Sequence, residues 1–181
     1  EYEERLGLTA TLERSDDAAP VEKALIQALS QRYPADQVTS IEVCQQWDNA
    51  YADAMRTVHA DFPKDFDVIA LFAEAMMTRT PWALWDLVSG QPAEGASTLE
   101  SIEVLDRAIE HIDQTNQKPH PGLLHMYIHV MEMSPFPERA LRACDQLRQL
   151  VLGSGHLCHM PSHIDVRCGH YYEAIVANDQ A

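Results

Sequence analysis

Imidazole is the commonest protein ligand for transition metals, and seven of the nine histidines in this 181-residue chain lie between His120 and His170. Two short runs hold five of them: His125-Met-Tyr-Ile-His129-Val-Met-Glu132 and His156-Leu-Cys-His159-Met-Pro-Ser-His163. Each run contains a His-x-x-x-His step, and residues four apart on an α-helix share one face. A single step of this kind is a weak signal, because core and capping histidines are more common. Two steps on packed helices, whose axes lie about 8–10 Å apart, can bring four imidazoles to one ion. The expected ligands are therefore His125, His129, His159 and His163, with His156 beside them. A divalent transition metal, Zn, Cu or Fe, suits such donors, and the sequence does not choose among the three. Glu132 is expected to be a fifth ligand or an acid–base partner, which makes it the candidate catalytic residue. Its position after the histidine pair differs from the His-Glu-x-x-His of metalloproteases, so the simplest hydrolase assignment is excluded.

Neighbouring side chains are read more plainly. Cys158 is expected to be a buried structural thiol, and Met126, Met131, Met133 and Met160 to be packing residues around the histidines. His120, between two prolines, belongs to a loop; His170 opens a helix; His59 and His111 are structural. Glu74 is a weaker candidate for facing the same site.

Helical periodicity governs the elements that must hold these groups. Leu6, Leu8 and Leu12 mark a helix over residues 1–14, and a stripe from Val21 to Leu29 follows Pro20 and ends near Tyr33-Pro34. A helix of about residues 38–61 puts Val43, Trp47, Ala50, Tyr51, Ala54 and Val58 inward. Another, over about 66–79, carries Ile69, Phe72, Ala73, Met76 and Met77. Periodicity fails over 80–97, where Trp82 and Trp85 mark an ordered insertion that packs on something or lids the site. Helices are then expected over about 98–112, 121–133, 137–151, 156–168 and 170–181. Pro161 is expected to be harmless as a first-turn residue of the fourth of these. No strand-like alternation of useful length occurs, so the chain is all-α.

The histidine steps are also repeats. His125 to His159 and His129 to His163 both span 34 residues, and Leu123/Leu157, Met126/Met160, Ala140/Ala174 and Leu141/Ile175 keep that offset. A 34-residue helix–turn–helix period is the signature of tetratricopeptide repeats. Gly169-His-Tyr-Tyr172-Glu-Ala174-Ile resembles the second half of such a unit, with Pro137-Glu-Arg-Ala140-Leu one repeat earlier. More narrowly, Tyr51-Ala-Asp-Ala-Met55, Pro81-Trp-Ala-Leu-Trp85, Tyr127-Ile-His129 and Gly155-His-Leu-Cys-His-Met-Pro-Ser-His-Ile164 resemble a family of bacterial and fungal tetratricopeptide-like proteins. The resemblance implies antiparallel helix pairs forming a TPR-like α-solenoid, one domain over 1–181 and part of a longer solenoid. It implies no activity. By that resemblance, His125, His129 and Glu132 of one unit and His156, His159, His163 and Val166 of the next line the concave groove. Ile128 and Ser162 depart from the pattern, standing where a very small residue usually allows close helix packing.

Charge narrows the partners. With 13 basic and 28 acidic residues the net charge is −15, which argues against nucleic acid and anionic membrane surfaces. No stretch approaches the roughly 18 apolar residues of a membrane span. Four cysteines without a CxxC pair fit a reducing, cytoplasmic setting. The absence of an initiator Met is expected of a fragment of a longer chain. Three functions stay open: a metal centre acting on a small molecule, a scaffold that clamps a peptide in its groove, and a structural metal that stiffens the repeats. Metal binding is the favoured expectation over peptide clamping.

Overall fold

The computed structural model describes residues 18–35, 37 and 39–181, and every regular element among them is a helix. The one β pairing among these residues is an isolated bridge between Trp85 and Pro92. The all-α expectation therefore holds, while the helix expected over 1–14 lies outside the described residues. The chain divides into two compact units at Arg79/Thr80.

The first unit holds α1 (Pro20–Arg32), α2 (Ile41–Asp61) and α3 (Phe66–Thr78). Each start follows from capping chemistry. Pro20 occupies a first position that needs no N–H, and Ser40 Oγ and the Asp65 carboxylate accept the N–H groups of Val43 and Val68. On α2 the buried residues are Tyr51, Ala52, Met55 and Val58, whereas Val43, Trp47 and Ala50 stay partly exposed. Of the expected stripe only Tyr51 and Val58 are buried; Ala54 is also partly exposed, and Ala52 and Met55 take inward places that were not expected. At 1.5 Å per residue the 21 residues of α2 outrun the 13 residues of either α1 or α3, so neither partner covers it end to end. The Glu74 carboxylate is taken by Arg32, 3.1 Å away, whose guanidinium also lies over the Tyr51 ring. Glu74 is thus a partner in this unit's own polar cluster.

The second unit begins with residues 80–97, which are ordered without being helical. The Trp85 indole N–H donates to the Val130 carbonyl at 2.7 Å, and Thr98 Oγ1 donates to the Leu84 carbonyl. The Asp86 carboxylate accepts the N–H groups of Val88 and Ser89, which folds the tip. The two tryptophans part company: Trp85 is buried and anchors the segment, while Trp82 is 87% exposed.

There follow α4 (Thr98–Thr115), α5 (Pro121–Met131), a 3₁₀ turn (Pro137–Ala140), α6 (Leu141–Leu147), α7 (Gly155–His159), α8 (Pro161–Cys168) and α9 (Tyr171–Asp179). Helix α4 runs three residues past its expected end, to a left-handed Asn116 at φ 52°. Packing runs α4 on α5, α5 on α6, α6 on α8 and α8 on α9, with α5 also meeting α8. Leu105, Leu123, Leu124, Ile128, Met131, Leu147, Met160 and Ile164 are fully buried between them.

One expected helix is two. Residues 156–168 break at Met160, because Pro161 lies past the four positions whose N–H groups need no partner. It cannot donate to the Leu157 carbonyl, and the chain turns with His163 N–H donating to the Met160 carbonyl at 3.2 Å. The expectation that Pro161 would be harmless is corrected accordingly. The helix expected over 137–151 is also shorter, opening as a 3₁₀ turn and ending at Leu147.

Asp165, with no exposed side-chain surface, is gripped by both terminal nitrogens of Arg148 at 2.7 and 2.8 Å. This pair ties α8 to the segment after α6. Removing one member leaves a buried charge uncompensated, which costs about 3–5 kcal/mol, whereas an exposed pair contributes about 0–1 kcal/mol. Arg148→Ala should therefore lower the unfolding free energy by about 3–5 kcal/mol in urea titrations followed by circular dichroism. Arg107→Ala, which breaks an exposed pair with Glu103, should change it by less than about 1 kcal/mol.

Candidate metal centre

Helix α5 places the first histidine step. His120 caps it, its Nδ1 accepting the Leu123 N–H at 3.4 Å, and Pro121 takes the first position. Leu123, Leu124, Tyr127, Ile128, Val130 and Met131 bury one side, and His125 and His129 stand half-buried on another. Glu132 follows at the end of the helix and is itself buried. Helix α7 supplies His156 and His159, and α8 supplies His163 one turn beyond the Pro161 bend.

All five expected histidines meet. Their rings form a closed circuit, with centroids 4.6 Å apart for His125–His129, 6.0 Å for His129–His163 and 4.8 Å for His163–His159. The circuit closes at 6.5 Å for His159–His156 and 4.9 Å for His156–His125. Ligand atoms lying within 4.8 Å of one another form two triads among the described residues: His125, His129 and His156, and His129, Glu132 and His163. His159 belongs to neither. These groups have the donors and the spacing to hold a metal ion, since nitrogens bound to tetrahedral zinc at 2.0–2.1 Å stand about 3.3 Å apart.

Hydrogen bonds show what the second triad lacks. Asn178 Nδ2 donates to the Ala174 carbonyl at 2.7 Å, so its Oδ1 is the atom facing His159 Nδ1, also at 2.7 Å. With both rings neutral, His159 Nδ1 donates to it and Nε2 is left as a lone pair. That lone pair faces His163 Nε2 at 2.9 Å, so His163 Nε2 carries the donated hydrogen. The remaining nitrogen, His163 Nδ1, is then a lone pair against the Glu132 carboxylate, with which it is in direct contact. With both rings neutral the chain is therefore short of one positive charge, which a further proton on one of its members supplies, or a metal cation seated beside Glu132 in its place. His129 Nδ1 is 3.7 Å from the other Glu132 oxygen, which completes the surroundings of that position.

Burial alone would raise the Glu132 pKa, but hydrogen bonds from His129 and His163, each donated when that ring carries a proton on the nitrogen facing the carboxylate, hold the carboxyl down to about 2. Burial, helped by His129, His156 and His163, pushes His125 down to about 4. Burial also lowers His156, with its imidazole neighbours adding to the effect. The anion and the neutral imidazoles are the forms that bind metal.

Other candidates lie elsewhere. Cys158 is buried with its thiol toward the Val151 carbonyl at 3.5 Å, and Met131 and Met160 are core residues. His59 stacks on Phe72 in the first unit. Asn178, on α9, was not singled out by sequence; a lone Asn inside a repeat-like helix gives no signal of its partner 19 residues earlier.

No protein-family model matches the chain, nor does any curated protein or solved structure. Among the described residues, no helix is long and apolar enough to cross a membrane.

The shifts carry a sign for stability. His125 binds its proton more weakly when folded than its ordinary 6.5, so the unfolded chain takes up the proton first as pH falls. In excess chelator, stability should hold above about pH 6.5 and fall steadily toward pH 4, with Glu132 adding a further loss between about 4.5 and 2. Thermal melts across this range should show that profile. His125→Gln should flatten its upper limb, and an unchanged slope there would contradict the assignment.

Proposed function

We propose that the second unit is a metal-binding domain whose divalent transition metal, Zn, Cu or Fe, is held by the histidines of α5, α7 and α8 together with Glu132. The observation that carries this reading is the convergence of two donor triads, His125, His129 and His156, and His129, Glu132 and His163, with ligand atoms within 4.8 Å of one another. The 34-residue offset supports a finer reading, in which these helices are TPR-like pairs of an α-solenoid and the histidines line its concave face. A left-handed Gly169 between α8 and α9 is the turn such a unit uses. His156 is the exposed member of the cluster and marks the side from which a small molecule reaches it. A cation held there would polarise a substrate oxygen or activate water, and Cu or Fe would add oxygen chemistry. Glu132 and His163 would fix the cation, and His159 and Asn178 would hold the His163 ring in the tautomer that ligates through Nδ1. Four free thiols suit a reducing, cytoplasmic setting for such a centre.

The test is metal content. Untagged protein, reconstituted with Zn, Cu or Fe and desalted, should keep near-stoichiometric metal by mass spectrometry. A His129→Ala/His163→Ala variant of unchanged helicity should lose it. Bound metal should also raise the unfolding free energy by about 2.7 kcal/mol when free metal is 100 times its Kd. No retained metal in a folded protein would refute the proposal, and the histidines would be packing or peptide-contact residues.

A further inference from the structure

Resting on the metal-binding reading above, the geometry points to two cations in the cluster, with His129 between them. Donor number is the first reason. Four imidazoles and a carboxylate stand close enough to ligate, whereas a closed zinc site takes four protein ligands and an open one three.

Distance is the second reason. Ligands at about 2.1 Å from one ion can stand at most about 4.2 Å apart, when they lie on opposite sides of it. Donor atoms lying within 4.8 Å of one another divide into two triads that share only His129, so some donors of one triad stand more than 4.8 Å from some of the other. One ion therefore cannot reach all five side chains. His129 can serve both ions only as a bridging imidazolate, its N–H proton released to solvent as the second cation binds, so that both ring nitrogens offer lone pairs; Nδ1 is the one turned toward Glu132.

The first triad is already drawn together. The Nε2 atoms of His125 and His156 face each other at 3.0 Å, hydrogen-bond distance, and need part only to about 3.3 Å to share a tetrahedral ion. We infer that one cation sits with His125, His129 and His156 and the other with His129, Glu132 and His163. His159 serves the second as a positioning residue.

Native mass spectrometry of the full chain with Zn²⁺ as the probe decides the matter. Wild type should carry two zinc ions per folded chain. His156→Ala, at an exposed position, should carry one, and so should Glu132→Gln; the double variant should carry none. Circular dichroism confirms that each variant is folded, and His163→Ala replaces Glu132→Gln if that variant is not. One zinc in the wild type overturns the two-cation inference and leaves the metal-binding reading standing. So does a folded His156→Ala that loses both ions together, since the donors would then form a single centre. No zinc in the folded wild type overturns both.

Discussion

A carboxylate and an imidazole lone pair cannot rest in contact without a positive charge between them, and the site turns on that fact. Asn178 decides which way its amide points by donating to Ala174. With the rings neutral, each one after it in the chain then has its proton assigned, until His163 presents a lone pair to Glu132. The requirement passes through four residues on α9, α7, α8 and α5, so all four helices must be placed correctly for it to exist. A cation at that point would in turn tie these helices to one another.

Several features away from the histidines hold that placement. Pro161 ends α7 and starts α8, so His159 and His163 are not two rungs of one straight helix but meet across a bend. Their Nε2 atoms face each other as a result. The Arg148–Asp165 pair fixes α8 from the side away from the site, with Asp165 two residues past His163. The insertion contributes through Trp85, whose indole N–H satisfies the Val130 carbonyl in the last turn of α5, where carbonyls have no helical partner. Val130 follows His129 directly. A segment without regular structure thus helps to fix the residue that the two donor triads share.

Much of the site was legible in the sequence, for a local reason. His125 and His129 share a helix face because the helical repeat puts them there, and the 34-residue offset announced that a second pair would accompany the first. His156, also expected, completes one triad. Glu132 was expected as a ligand or an acid–base partner, and it stands in contact with His163. The reading of Pro161 failed because it weighed the residue as belonging to a first turn, while the helix had already begun at Gly155. The burial pattern of α2 failed for a different reason: periodicity says which residues share a stripe, and only neighbouring helices say how much of it is covered.

The sequence by itself determined that the described chain is helical, where its caps and prolines fall, and which residues carry metal-binding chemistry. These depend on neighbours within a turn or two, or on a repeat that is visible as an offset. Only the tertiary structure decided that the donors divide into two triads, that His159 stands behind His163, and that Asn178 faces His159. Those facts depend on distances between side chains on different helices. Such distances come from how α5, α7, α8 and α9 pack and from the bend at Met160, which no local pattern encodes.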